Sequence, residues 1–238
     1  PYKVKVADAY YFSLKSGDSA KLMTSDLTST GTKPTPFTFH SLGSMVGLGD
    51  SLIFAADQGK GSELYSFSPK GKDPKPRLIK DLVADGSSSP QELTVLGEQV
   101  FFSASDGKRR ELYVFDGKNN SVSTVAAAYK ITVPADPVHL TVVGNKLFFS
   151  AGEAEEVKKG KKTRKVYQRR YYMLDTEKPG KIHGFPFFDR HTNQKHPVVD
   201  GTKVYFKIHE GPERYEILCI DTADAQPKVE VIGDGSEG

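Results

Sequence analysis

The chain holds a single cysteine, no tryptophan and three methionines in 238 residues. Cys219 alone excludes an intrachain disulfide and a zinc site built from cysteine pairs. No stretch approaches the roughly 18 consecutive apolar residues that a membrane-spanning helix needs. No segment keeps a helical apolar period over about 11 residues, so long amphipathic helices are not expected. The G-x-S-x-G elbow, the P-loop and the H-E-x-x-H pair are missing, which removes the local signatures of a serine hydrolase, a nucleotide-binding loop and a zinc peptidase. Paired carboxylates contributed by separate parts of the chain leave no such signature, and a hydrolase of that kind stays open. Charge of one sign is scarce overall: 33 Lys and Arg stand against 30 Asp and Glu, a net of +3. The chain opens at Pro1 without an apolar leader-like segment and is read as a mature or trimmed product.

What the chain does have is self-similarity. Glu92 to Ser105 reads ELTVLGEQVFFSAS, and His139 to Gly152 reads HLTVVGNKLFFSAG. The aromatic-rich run recurs five times, as Tyr10-Tyr11-Phe12, Leu52-Ile53-Phe54, Val100-Phe101-Phe102, Leu147-Phe148-Phe149 and Val204-Tyr205-Phe206. Steps between run starts are 42, 48, 47 and 57 residues. Gly49, Gly97, Gly144 and Gly201 stand three positions before four of the runs, and Ala7 holds that place in the first. Glycine at a fixed offset between two apolar runs predicts a tight hairpin turn.

A third run follows in each unit: Lys21-Leu22-Met23, Glu63-Leu64-Tyr65, Glu111-Leu112-Tyr113, Tyr171-Tyr172-Met173 and Glu216-Ile217-Leu218. A fourth spans 35–41, 77–83, 122–127, 181–188 and 228–232. Short β-branched and aromatic runs punctuated by Gly, Pro, Ser, Asp and Asn predict strands. Four strands per unit and five units predict an all-β fold, a single five-bladed β-propeller with four antiparallel strands per blade. Blades are expected near 1–43, 44–91, 92–138, 139–195 and 196–238, in one closed domain with a mobile tail from Asp234. The alternative architecture is a β-sandwich or a pair of small barrels. Phe12, Phe54, Phe102, Phe149 and Phe206 recur in phase and are read as core between blades.

These units resemble the ELWxxDGT-repeat β-propeller family. The motif stands as Glu111-Leu112-Tyr113-Val114-Phe115-Asp116-Gly117-Lys118, as Glu63-Leu64-Tyr65, and as Leu22-Met23-Thr24-Ser25-Asp26. The upstream part, Ser88-Ser89-Pro90 to Phe102-Ser103-Ala104, follows the family pattern most closely, and the likeness is best over residues 44–152. Tyr, Met or Leu replaces the family's Trp in every unit. The resemblance implies a propeller in a secreted, cell-surface or lumenal setting, and no shared catalytic activity.

In a propeller, equivalent positions of the innermost strands form a ring around the central channel. The position five residues before each glycine is Tyr2, Ser44, Glu92, His139 and His196. All are polar where plain core would carry Val or Leu, and they are the candidate ligand-binding ring. Glu92, His139 and His196 together match the ligand set of an open iron or zinc site, which makes a metal-dependent oxygenase or hydrolase the alternative to a cofactor-free binding module. Solvation of a wet channel rim explains the same residues without a ligand. Loops on that rim add Asp106, Arg110, Arg190 and Arg214 as candidate contacts, beside Asp85 to Ser89, Asp136, His191 and Glu210. Asp, Gly and Ser clusters are also ordinary turn chemistry.

Residues 153–170 depart from the repeat. They hold three Glu against eight basic residues (Lys158, Lys159, Lys161, Lys162, Arg164, Lys165, Arg169 and Arg170), a net of +5 that leaves −2 for the rest of the chain. Phe149 and Met173 lie 24 positions apart, where the first three units use 11 and the fifth uses 12. A basic hairpin insertion over about 153–168 is therefore expected, flexible or extended, with an anionic polymer or an acidic protein as its partner. Nothing in the chain resembles a sequence-specific nucleic-acid reader. The function expected from sequence is a non-enzymatic module that presents one propeller face to a glycan or protein.

Overall fold

The computed structural model describes residues 3–159, 162–178, 180, 182–188, 196–209, 214–224 and 226–236; for 153–168, 186–188, 209 and 236 the backbone alone is described. Its strands form five four-stranded sheets, each built from four consecutive strands in sequential, antiparallel order. The first sheet is β1 (Val4–Val6), β2 (Ala9–Ser16), β3 (Ser19–Ser25) and β4 (Lys33–Phe39). The second is β5 (Ser41–Leu48), β6 (Ser51–Asp57), β7 (Ser62–Phe67) and β8 (Arg77–Lys80). The third is β9 (Gln91–Leu96), β10 (Gln99–Ser105), β11 (Arg110–Asp116) and β12 (Ser121–Thr124). The fourth is β13 (Ala135–Val143), β14 (Lys146–Lys159), β15 (Lys162–Asp175) and β16 (Ile182–Phe188). The fifth is β17 (Val198–Asp200), β18 (Lys203–His209), β19 (Arg214–Asp221) and β20 (Val229–Ser236). Five such meanders are the blades of an all-β fold of the β-propeller kind. The chain divides into two compact units, Pro1–Ala128 with the first three sheets and Tyr129–Gly238 with the last two.

The expected hairpin turns are present at every repeat. Each first strand joins its second through two residues, as Leu48 pairs Ser51, Leu96 pairs Gln99 and Val143 pairs Lys146. Gly49, Gly97, Gly144 and Gly201 take φ of 54° to 61° there, and Ala7 takes 51°. Positive φ at the first central residue alone matches the type II′ hairpin, whose twist suits the flanking strands.

Packing explains why the second strands read as unbroken apolar runs. Alternate residues of a strand face opposite ways, and both faces here are covered. In the first unit, Leu52, Phe54 and Ala56 of β6 join Val6, Tyr11, Leu22 and Phe39 of the first sheet. Ile53, between them, turns the other way to Val100, Phe102 and Ala104 of the third sheet. In the second unit, Phe148, Tyr171 and Met173 meet Val204, Phe206 and Leu218. Each fully buried Leu, Ile or Phe contributes about 1.5–3 kcal/mol by transfer from water. Phe54, Phe102, Phe149 and Phe206 are all at most 1% exposed, while Phe12 is half-buried beside a buried Tyr11.

Three readings are corrected. The fourth run of the third unit does not continue as a strand: Val125–Tyr129 is a short helix, α1. Its three alanines favour a helix, the Thr124 hydroxyl accepts from Ala127 N at 3.2 Å as its N-cap, and Lys130 at φ 55° ends it. The third run of the fourth unit is displaced by one, since Phe149 pairs Tyr172 as Phe54 pairs Tyr65 and Phe102 pairs Tyr113. Arg170 thus takes the place of Glu63 and Glu111. The tail from Asp234 is not loose: Asp234, Gly235 and Ser236 belong to β20, opposite Glu216, Tyr215 and Arg214. The basic insertion takes the extended form among those expected, its arms being the ends of two strands of 14 residues each.

Candidate functional site

Three of the five polar positions read from the repeat, Ser44, Glu92 and His139, fall on a shared irregularity of the first strands. In β9, Gln91 pairs Ser103 and Thr94 pairs Phe101, so Glu92 and Leu93 together oppose one residue. In β13, His139 and Leu140 do the same between Val138 and Thr141. In β5, Gly43 and Ser44 form the bulge between Leu42 and Met45. A β-bulge bends its strand and re-aims a side chain. Glu92 at φ 58° and His139 at φ 59° occupy the left-handed region that side chains avoid. Thr94 donates to Glu92 O at 2.8 Å and Thr141 to His139 O at 3.2 Å, the same clamp in both sheets. Tyr2, Arg190, His191 and Glu210 lie outside the described residues.

The loops of the first unit at this end are fixed by their own polar groups, two of the expected ligand contacts among them. Asp106 closes its turn by accepting from Lys108 N and Arg109 N at 2.8 Å each. The Arg109 and Lys108 amides hold its carboxyl below the ordinary carboxylate range. Arg110 donates through Nη1 to Ser103 O at 3.0 Å and through Nη2 to Ser89 O at 2.7 Å, so its guanidinium clamps β10 to the 85–89 loop.

Sequence reasoning missed the group that organises this loop. Glu63 is 4% exposed and accepts from Ser88 N at 2.7 Å, Ser88 Oγ at 2.5 Å and Leu82 N at 3.2 Å. A buried carboxylate is stable only with such donors around it. The signal was a Glu at a strand position followed by apolar Leu64 and Tyr65, with Ser87-Ser88-Ser89 downstream to supply donors. Gly61 and Gly86 let the two loops touch, since a Cβ on Gly61 would lie 2.0 Å from Gly86 O.

In the second unit, His139 and His196 come together, ring centroids 5.6 Å apart and nearly perpendicular at 67°. Thr141 Oγ1 stands 3.5 Å from His196 Nδ1. Arg169 donates to Asp136 O at 2.8 Å, and exposed Arg214 closes β19 against Ser236. Among the described residues, no three His, Cys, Asp or Glu side chains are grouped to hold a metal ion.

The basic insertion continues β14 and β15 past the sheet. β13 reaches only to Gly152 and β16 only to Arg170, while β14 and β15 remain paired out to Lys159 and Lys162. Seven further residues per arm give a two-stranded ribbon of roughly 23 Å at about 3.3 Å per residue. Register and sequence segregate its charge. Glu153, Glu155 and Glu156 stand at the base, whereas 157–165 holds six Lys or Arg and no acid.

The chain matches no described protein family and no curated protein sequence. Its fold is similar to solved propeller-bearing structures. TolB from Acinetobacter baumannii aligns over 96% of this chain and 55% of its own, with TM-score 0.55 and 15% identity. A prolyl endopeptidase aligns over 99% of this chain and 35% of its own, at 0.63 and 11%. Puromycin hydrolase aligns over 97% and 36%, at 0.61 and 11%. The chain thus spans about a third to a half of these proteins' lengths, and at such identities the likeness is one of fold.

Proposed function

We propose that this chain is a binding module whose β14–β15 ribbon receives an anionic partner, an acidic polymer or an acidic protein, in a secreted, surface or lumenal setting. The observation that carries the reading is the six cations without an acid over residues 157–165, at the end of a ribbon that its own sheet does not need. Like charges at that density repel, as where Lys159 pairs Lys162, and an anion relieves them. One propeller face presented to a glycan or protein partner completes the reading.

Deleting Val157 to Lys165 and closing the arms with a Gly-Ser turn tests it. Sheet pairing by β13 and β16 ends before the deleted residues, so the melting temperature should hold. Retention on heparin and on an acidic polypeptide column should fall toward that of a neutral matrix. Wild-type retention should weaken steeply as the Debye length shrinks from about 10 Å at 0.1 M salt to about 3 Å at 1 M. Unchanged retention in the deletion variant refutes the assignment.

A further inference from the structure

We propose a second binding site, in the first unit and at the opposite end of its strands from the bulges, that takes a neutral mono- or disaccharide. A recess of about 500 Å³ opens there between the second and third sheets, within the size range of small-ligand sites. Backbone holds it open. Gly49 and Gly97 carry no side chain into it and have nothing within 4 Å of where one would start. Gly117 N donates to Glu98 O at 3.0 Å, which fixes the two turns beside each other. A Cβ on Gly117 would lie 2.5 Å from Leu48 Cδ2, so glycine is what allows that approach.

The lining has the chemistry of a sugar site rather than of an anion, metal or lipid site. Its floor is apolar, formed by Leu48 with Ile53 and Phe115, and suits the C–H face of a pyranose. Its wall carries hydroxyls: Ser51 Oγ and Ser68 Oγ are hydrogen-bonded at 2.6 Å, either one able to donate, with Ser66 adjoining. Such a pair can present either a donor or an acceptor to the incoming group, as the hydroxyls of a sugar require. On the rim, Glu98 and Lys118 are exposed and in no ion pair among the described residues. One acceptor and one donor of opposite charge leave the rim neutral, which gives a polyanion no advantage and lets vicinal hydroxyls bond to both.

This inference rests on the binding-module reading but not on the ribbon. The test titrates amide-labelled full chain with methyl glycosides of glucose, galactose, mannose and N-acetylglucosamine, and with cellobiose and lactose. Shifts should concentrate at Leu48 to Ser51, Ser66 to Ser68, Gly97 and Gly117. Ser51→Ala with Ser68→Ala removes both hydroxyls together and should keep the fold, while weakening binding by about tenfold, the equivalent of one or two net hydrogen bonds. Ser66→Leu, which fills the recess, should abolish the shifts. Heparin retention of all these variants should equal that of the parent, so failure here and failure of the ribbon assignment read out separately. Absence of shifts with every probe at millimolar concentration, or shifts that survive both variants, overturns the proposal.

Discussion

Replacing Glu63 should damage the first unit far more than its place on a strand next to a loop suggests. Its carboxylate accepts three hydrogen bonds, at 2.5, 2.7 and 3.2 Å, from donors that lie on the loop between β8 and β9. Hydrogen bonds to a charged group contribute about 1.5–3 kcal/mol each, and removing the acceptor strands donors that water reaches poorly. Ser88 is 0% exposed, and its hydroxyl has only Ser62 O, at 3.4 Å, as a fallback. Glu63→Ala should therefore cost about 3–5 kcal/mol, a fall in melting temperature of roughly 6–20 °C for a chain of this size. Glu63→Gln keeps one carbonyl acceptor but turns an amide N–H toward the other donors, and should cost about 1–2 kcal/mol. The assay is thermal and urea unfolding followed by near-ultraviolet circular dichroism, where tyrosine is the reporter because the chain has no tryptophan. Tyr65, 7% exposed and two residues along the same strand, senses the site. Coupling between Glu63→Gln and Ser88→Ala should reach about 1–2 kcal/mol. A loss below about 1 kcal/mol for Glu63→Ala, or simple additivity in the pair, would show that the loop is held by something else.

Acid should destabilise the fold through its turn carboxylates. The Thr28 hydroxyl and amide depress Asp26, the Asn119 amide and side chain depress Asp116, and the Ala223 amide and Thr202 hydroxyl depress Asp221. A folded pKa below the unfolded value contributes stability that is present above about pH 4 and lost as pH falls through the folded value. Melting temperatures measured from pH 6 down to pH 2 should fall mainly below pH 4, with Asp116→Asn flattening the slope; a flat profile would contradict this. Cys219 should be unreactive toward a water-soluble disulfide reagent in the folded protein, because burial raises its thiol pKa. Its labelling rate should follow unfolding, and fast labelling of native protein would place the thiol at the surface.

Strand count, hairpin turns and inter-sheet core were legible because each rests on a local rule. Glycine at positive φ marks Gly49 and Gly97, and burial on two faces makes Leu52-Ile53-Phe54 an apolar run. Where a local cue competed with the repeat, the repeat misled. Val122 to Ala127 held the place of a fourth strand, yet Ala126 to Ala128 prefer a helix once Thr124 caps it. In the fourth unit three consecutive large residues, Tyr171 to Met173, offered two registers, and only pairing with Phe149 decides between them. The roles of Arg110 and Asp106 were not legible at all. A charged residue in a turn looks the same in sequence whether it faces a ligand or the backbone, and here both bond to backbone groups nearby.

The bulges carry the most direct argument that the polar positions of the repeat are a design of the fold and not an accident of alignment. Glycine or asparagine would sit at φ near 60° with less strain than glutamate or histidine. The chain uses Gly for that conformation at five hairpin turns, so the solution was within its repertoire. It places Glu92 and His139 there instead, changes the side chain from one sheet to the next, and keeps the Leu and Thr that follow: Leu93 and Leu140 are buried at 7% and 4%, and Thr94 and Thr141 hold the strained carbonyls. In these two sheets the buried Leu and the Thr hydroxyl supply the stability that tolerates roughly a kilocalorie or two of backbone strain, and the bulge re-aims the one polar side chain between its neighbours.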